Sequence, residues 1–291
     1  MADKFGRIYD LKVETSTHEV ITISDPFTLE FTITRNNMAH ANTASFVIYN
    51  LSETTRKKIF KDQFDMMTHR YIQLYAGYQD QSNVLVRTIP QCFNGEVRWA
   101  YSYRRAQEFR TEIDCYDGGT SLSNGHVSLT LPAGLTQDKI IAMLMAALPN
   151  IKGMTIGTKF LEQAKRGISL FGNPAELLKQ ITNDKFYIDN GKAFAIDNDE
   201  AIRGEILVID SSMGLLGTPK RSEAFLELQM IFEPRITVGQ LVKLVSSTGA
   251  NFNAIYKVTG VSHRGTISGA VCGEATTTVS LLAGTTFRVV G

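Results

Sequence analysis

Two stretches of this chain punctuate their strands in the same order, and a short helical stretch lies between them. Near the first end, Tyr71-Ile72-Gln73-Leu74-Tyr75 stops at Ala76-Gly77, a strand opens at Gly95-Glu96-Val97, and Thr111-Glu112-Ile113-Asp114-Cys115-Tyr116 stops at Asp117-Gly118. Toward the other end, Gln240-Leu241-Val242-Lys243-Leu244-Val245 is followed by Gly260-Val261 and then by Thr278-Val279-Ser280-Leu281-Leu282, stopping at Ala283-Gly284. Two sheet modules of one design in one chain point to a ring builder, because a trimer then presents similar modules all around its axis. Two unrelated antiparallel sheets would share much of this punctuation, so the residue-level echo leaves both readings open.

The N-terminal part reads as strands almost throughout. Ile8 to Val13, Val20 to Ser24 and Phe27 to Thr34 alternate apolar with polar side chains, the period of a half-buried strand. Phe27, Leu29, Phe31 and Ile33 are expected on one face, with Thr28, Glu30, Thr32 and Thr34 on the other. Arg35-Asn36-Asn37 then reads as a polar loop and Ala44 to Tyr49 as a further strand. One short helix follows, with Ser52 as N-cap, Glu53 at its positive end and Arg56-Lys57-Lys58 later, on a solvated face.

The middle, from about Gly119 to Gly204, changes character. Thr136 is placed to cap a helix from Gln137 to Leu148, with Pro149 just beyond. Asn173, Pro174 and Glu176 carry a stronger start signal: an N-cap, a proline at the first helical position and a glutamate placed for a capping box. Leu177, Leu178 and Ile181 are the expected buried stripe of that helix. Asn190-Gly191 between Phe186-Tyr187-Ile188-Asp189 and Lys192-Ala193-Phe194-Ala195-Ile196 is the best two-residue hairpin signal in the chain. Beyond Gly204, Glu205 to Asp210, Ala224 to Phe232 and Gly239 to Val245 return to strands, with Glu233-Pro234-Arg235 as a polar break.

Composition narrows the class. A chain of 291 residues with 43% hydrophobic and 20% charged residues is ordinary for a globular protein, and its formal charge of +1 argues against a surface that coats nucleic acid. Cys92, Cys115 and Cys272 lie far apart and suggest buried thiols in a reducing compartment. The polar start Met1-Ala2-Asp3-Lys4-Phe5-Gly6-Arg7 shows no export signal, and the apolar run Ile140 to Leu148 falls short of the ~20 residues that span a bilayer.

Catalytic signatures do not accumulate. There is no phosphate-binding Walker loop and no dinucleotide fingerprint. Gly167-Ile168-Ser169-Leu170-Phe171 resembles a nucleophile elbow, but Phe171 replaces the second glycine, and the stretch reads as a loop before a helix cap. His18, His40, His69, His126 and His263 occur singly, never at metal-ligand spacing. Asp197-Asn198-Asp199-Glu200 clusters acids that suit a hard cation, yet it lacks an EF-hand glycine and reads as a solvated turn. The aromatic content is 9% with one tryptophan, Trp99, and offers no sugar-stacking platform. No catalytic, cofactor-binding or metal-ligating residue is nominated.

Several stretches taken together resemble a known family. Phe27 to Thr34, Asn42-Thr43-Ala44-Ser45-Phe46-Val47-Ile48-Tyr49-Asn50-Leu51-Ser52 and Ile72-Gln73-Leu74-Tyr75-Ala76-Gly77-Tyr78 resemble the first tube-like domain of phage tail baseplate hub proteins. Leu216-Gly217-Thr218-Pro219-Lys220-Arg221, with a glycine-threonine-proline turn, resembles the second such domain. So do Leu228 to Gly239 and Tyr256 to Gly265. The chain departs from the pattern at Thr266 to Cys272, where members often carry an acidic residue and a tryptophan.

The resemblance implies a mainly β fold with an α+β insert and two tail-tube-like antiparallel β-barrels. The expected division is residues 1–118 for the first barrel, 119–204 for the insert and 205–291 for the second barrel. It implies a non-enzymatic baseplate hub without cofactors: a homotrimeric, pseudo-six-fold ring between the hexameric tail tube and the trimeric spike. The implied partners are other copies of the chain, a tail tube or tube-initiator protein, the central spike and other baseplate proteins. DNA is met only in transit, no membrane anchoring is expected, and the place is the virion tail, assembled in the host cytoplasm. A tail-tip or tube-completion protein of the same architecture is the alternative; a wall-binding or wall-degrading module is a more distant one.

Overall fold

The computed structural model describes residues 6–65, 68–79, 89–246, 250–269, 273–284 and 286–291. The N-terminal part runs β1 (Arg7–Glu14), β2 (Val20–Ser24), β3 (Leu29–Asn36), β4 (Asn42–Tyr49), α1 (Glu53–Ile59), β5 (Tyr71–Tyr78), β6 (Gln91–Arg105) and β7 (Glu108–Asp117). The middle holds α2 (Gly119–Ser123), β8 (Val127–Leu131), α3 (Gln137–Ala146), β9 (Gly153–Ile156), β10 (Ile168–Gly172), α4 (Pro174–Thr182), β11 (Phe186–Asp189), β12 (Lys192–Ala195) and β13 (Glu200–Ile202). The C-terminal part follows with β14 (Leu207–Ile209), β15 (Leu215–Ser222), β16 (Phe225–Ile231), β17 (Leu241–Leu244), β18 (Ala254–Ile267), β19 (Ala275–Ala283) and β20 (Arg288–Val290).

The fold is mainly β with a small α+β insert, as the sequence indicates. The strand order also repeats. In the N-terminal part it is β3-β4-β7-β6-β5-β1, and in the C-terminal part β15-β16-β19-β18-β17-β14. The three segments that echo in sequence, on β5, β6 and β7, therefore correspond to β17, β18 and β19. Both long strands carry a register shift against their neighbour, between Val97 and Trp99 on β6 and between Val258 and Gly260 on β18. A bulge at the same place in both repeats bends each strand in the same sense.

Hydrogen bonding does not divide these strands into two closed barrels. β3 pairs antiparallel with β18 from Gly260↔Asn36 to Ile267↔Leu29, so both parts share one 13-stranded sheet whose pairings form an open path. Side-chain alternation fixes the register across that seam. Leu29, Phe31 and Ile33 turn inward while Thr32 and Thr34 stay exposed, and a slip of one residue would reverse every one of them.

Three hydrophobic clusters lie beneath the strands. One gathers Tyr9, Leu29, Phe46, Leu74, Phe93 and Ile113; it also takes in Phe232 and Ile267 from the C-terminal part. The second gathers Tyr187, Leu228, Val242, Val258 and Val279. The third is the core of the insert, with Ile141, Leu144, Leu178 and Phe186. Phe232 packs edge-on to Phe31 with ring centroids 5.4 Å apart, which stitches the first cluster across the chain.

Local signals decide the insert. Asn190 and Gly191 both take positive φ, 52° and 73°, as the turn of a two-residue hairpin requires, and Asp189 pairs with Lys192 across it. Asn173 caps α4, its Oδ1 accepting from Ala175 N at 2.8 Å. Glu176 makes no return bond to the Asn173 N–H, so the expected capping box is only half formed. Leu178 is fully buried in the stripe, with Leu177 and Ile181 partly so. Helix α3 stops at Ala146, two residues before the expected end.

Two expectations are corrected. Ile168–Gly172 is a strand paired with β8, not a loop; with Phe171 exposed on its outer face beside Ser169, it lacks the apolar–polar alternation that marks a half-buried strand. The glycine-threonine-proline stretch at Gly217 is likewise strand β15, irregular against β16 between Leu216 and Lys220. An edge strand tolerates the missing N–H of Pro219, which a central strand would not.

Candidate assembly surfaces

The seam between β3 and β18 has two sides, and each offers something a neighbour could read. On the outer side, cross-strand rows run unbroken through both repeats: Gln229, Thr278, Ser262, Thr34, Thr43 and Tyr116 in one row, then Thr276, Arg264, Thr32, Ser45 and Asp114 in the next. Gln229, Thr278, Ser262, Thr276, Arg264, Thr32 and Ser45 of these rows line a shallow hollow of about 800 Å³. The face is hydroxyl-rich with mixed charge: the carboxylates Glu30, Glu108, Glu112, Asp114 and Glu227 stand among the cations Arg105, Arg110, Lys220 and Arg264.

The inner side is sealed by charge. Arg35, read in the sequence as part of a polar loop, is the last inward residue of β3 and only 1% exposed. Its guanidinium donates to Asp189 Oδ2 at 3.3 Å and to the Ile236 carbonyl at 2.8 Å, so it ties β3 to both the insert and the C-terminal part. Asn42 donates to the Ile188 carbonyl at 2.9 Å and to Asp189 Oδ1 at 3.2 Å. Asp117, at the end of β7, accepts from Gly191 N at 3.0 Å, and Asn190 Oδ1 accepts from Asn94 N at 2.9 Å.

Burial, with the nearby Asp189 charge second, pushes the Asp117 carboxyl up to about 8; burial also raises Asp189 against the pull of Arg35. With Asp117 protonated, one cation faces one anion, an arrangement a low-dielectric site can hold. Beside them His263 is fully buried on β18, its Nδ1 2.9 Å from Thr277 Oγ1, and burial followed by the Arg35 charge drives it well below 6.5.

The acidic turn at residues 197–200 is not solvated as expected. Glu200 is fully buried and accepts from Thr158 N at 2.6 Å, from Thr158 Oγ1 at 2.7 Å and from Asp197 N at 3.0 Å. Lys159 reaches Asp197 and Asp199, Lys185 reaches Asp197 at 2.7 Å, and the buried Lys257 donates to the Asp197 carbonyl at 2.6 Å. Burial brings Lys257 down to about 8. The acids are consumed by lysines and backbone donors, so the turn clamps the insert to β18. Among the described residues no cluster of His, Cys, Asp and Glu is arranged to hold a metal ion.

The sequence readings of isolated groups resolve individually. Ser169 is an exposed strand residue with no described base beside it. Cys92 and Cys115 are buried, as expected; burial pushes Cys92 up to about 12 and Cys115 well above its ordinary value. Cys272 lies outside the described residues. The reading that the chain offers no aromatic platform missed one feature: Trp99 and Tyr101 lie 5.3 Å apart on β6, with Phe60 5.8 Å from Tyr101. Their spacing by two on a strand was the available signal.

Residues 10–264 match the family model described as Baseplate hub gp41. The chain belongs to that family. No curated protein matches the sequence. Among solved structures, the baseplate hub chain is similar to a tail protein from Neisseria meningitidis MC58, with a TM-score of 0.62 at 11% identity over 97% of this chain and 98% of that one. It is also similar to the 43 kDa tail protein of prophage MuSo2 from Shewanella oneidensis, at 0.58 and 10% over 94% and 97%. A third similar structure is an Escherichia coli component of the type VI secretion system, itself similar to the T4 bacteriophage tail proteins gp27 and gp5, at 0.54 and 10% over 91% and 76%. At these identities the likeness is one of fold, and the family carries the role: a structural component of the phage tail at the baseplate hub. No helix among the described residues is long and apolar enough to cross a membrane.

Proposed function

We propose that this hub protein acts as a homotrimer whose two strand repeats per chain form a pseudo-six-fold ring between the hexameric tail tube and the trimeric spike. One observation carries the proposal. The repeats share one strand order and already stand side by side in one sheet, joined by β3 and β18. A heterologous contact that recurs around an axis closes into a ring. The reading takes residues 1–118 and 205–291 as the two tube-like units, with 119–204 as an insert clamped between them.

The hydroxyl-rich face of the shared sheet, whose cations stand among a larger number of carboxylates, supports a role as channel lining, since DNA in transit slides best past a wall without a basic excess. The tail tube or a tube initiator, the central spike and other baseplate proteins are the partners of this reading, and the virion, assembled in the host cytoplasm, is its place. Scaffolding by symmetry matching needs no bond chemistry, in keeping with the inward-turned acids and the high-lying thiols. Light scattering across a concentration series, with and without tube or spike partner, tests the ring. A mass of three chains in either condition is expected, and a persistent monomer or two-fold dimer in both overturns it.

A further inference from the structure

At one end of the N-terminal repeat, charge does not cancel, and the excess sits on a fixed frame. Helix α1 supplies Arg56, Lys57 and Lys58 there, the end of β6 supplies Arg104 and Arg105, and the start of β7 supplies Arg110. Three of these cations have an acid of their own. Lys57 reaches Glu53 at 2.7 Å, Lys58 reaches Glu19 at 3.2 Å and Arg110 reaches Glu108 at 4.0 Å. Arg56, Arg104 and Arg105 have no ion pair among the described residues. The chain's formal charge of +1 gives no hint of this local excess.

Two of the unpaired groups are held in place. The Arg56 guanidinium lies over the Phe109 ring, 3.8 Å from its centroid, and its Nε donates to the Leu51 carbonyl at 3.1 Å. Arg104, opposite Phe109 in the β6–β7 register, comes within 6.0 Å of the same ring, and its Nε donates to the Ala106 carbonyl at 3.2 Å. The ring is anchored through its backbone. Asn50, at φ 56°, donates its N–H to the Phe109 carbonyl at 2.8 Å, and its Oδ1 accepts from Phe109 N at 3.0 Å. Each guanidinium thus commits Nε to a carbonyl and a face to the ring, and its Nη atoms have no hydrogen-bond partner among the described residues.

We propose that this corner binds a protein segment presenting aspartate or glutamate side chains, whose carboxylates are taken by the Nη atoms of Arg56 and Arg104. A guanidinium fork matches a carboxylate with two parallel hydrogen bonds, and charge strengthens both. Stacking on an anchored ring orients the forks before binding, so little side-chain freedom is lost when the partner arrives. Glu53 and Glu108 stand in the same corner and repel the unbroken charge of a nucleic-acid backbone, whereas separate carboxylates can be spaced around them. The assignment stands on the side chains of one repeat and does not depend on the ring.

Fluorescence anisotropy of labelled deca-glutamate with the full chain tests this, with deca-glutamine and a deoxythymidine decamer as comparisons. Deca-glutamate should bind, deca-glutamine should not, and the decamer should bind more weakly than deca-glutamate. Arg56→Gln and Arg104→Gln should each weaken deca-glutamate binding at least about tenfold, the loss of a charge-assisted contact. Arg56→Lys keeps the charge without the fork and should lose most of that affinity as well. Lys58→Gln removes the same charge from a site already paired with Glu19, and should weaken binding no more than about twofold. Thermal melts check that each variant is folded; Arg104 is exposed, so its variant carries the test if Arg56→Gln unfolds. No binding of deca-glutamate, tighter binding of the decamer, full binding by Arg56→Lys, or equal losses in Lys58→Gln and the arginine variants would each overturn the proposal.

Discussion

The two repeats run their strands in one order but are finished differently. In the N-terminal repeat, β1 lies antiparallel to β5 and is covered in turn by β2. In the C-terminal repeat, β14 lies parallel to β17, and no described strand covers it. The differences continue at the long strands. Beyond its bulge β18 is sealed by β3, with Arg35 and His263 buried beneath, whereas β6 keeps an open, aromatic edge. The shared sheet order is what a ring of equivalent places needs. The differing finishes fall where each repeat meets something else: the other repeat and the insert on one side, solvent on the other.

The largest expected effect comes from breaking the sealed joint. Arg35→Ala leaves Asp189 buried without its cation and the Ile236 carbonyl without its donor, a loss of about 3–5 kcal/mol. Arg35→Lys should recover little, because one ammonium lacks the fork that serves both acceptors. Urea unfolding read at two sites, one in each repeat, checks this. A change under about 1 kcal/mol would show that the repeats are held by β3–β18 pairing alone.

A smaller effect sharpens the same joint through pH. Between 3.8 and about 8 the unfolded Asp117 is ionised while the folded one holds a proton, so its share of stability falls as pH rises. Asp189 contributes in the same direction. His263 works oppositely: below 6.5 the unfolded imidazole takes a proton that the buried one refuses, so its share falls as pH drops. The two slopes oppose each other from about 4 to 6.5, and the carboxyl slope acts without the imidazole from 6.5 to about 8, at up to ~1.4 kcal/mol per pH unit for one proton. Asp117→Asn keeps the acceptor for Gly191 N. It should flatten the decline between pH 6.5 and 8 and expose the His263 slope below. Parallel curves for the two proteins across pH 5–8.5 would remove Asp117 from the joint.

How far the sequence showed this depends on which face of each strand meets water. β3 and β4 have one wet face, so Leu29, Phe31 and Ile33 alternate with threonines and the strands are plain to read. β15 carries Gly217, Pro219 and two exposed cations on an edge, and no alternation survives there. The echo between β5–β7 and β17–β19 was legible because bulges and strand ends need glycine at fixed places. Arg35, Asp117, Asp189, Glu200 and Lys257 were not, because a charge in sequence looks solvated until its partner from a distant element is known. Asp189 lies 154 residues from the arginine that holds it.

The smallest effect tests the insert against the repeats it is clamped to. Asn173 does more than the sequence assigned it: while Oδ1 caps α4, Nδ2 donates to the Leu122 carbonyl at 2.9 Å and to the Ser123 carbonyl at 3.3 Å, at the end of α2. Asn173→Ala removes the cap and the tether together, so the loss should lie within the usual ~0.5–2 kcal/mol for an N-cap and toward its upper end. Asn173→Asp separates the two roles, since a carboxylate caps as well as the amide but cannot donate to carbonyls. If the cap dominates, Asn173→Asp melts with the wild type and Asn173→Ala below it. If the tether dominates, both fall equally, because the aspartate also turns negative charge toward the carbonyl end of α2. Either loss should appear in a thermal melt followed within the insert. An unfolding curve read at Trp99 on β6 should move by less, because α4 packs on the insert's own cluster around Leu178 and reaches the sheet indirectly, through α2, whose Thr120 donates to Glu96 on β6, and through β11 and the Arg35 joint.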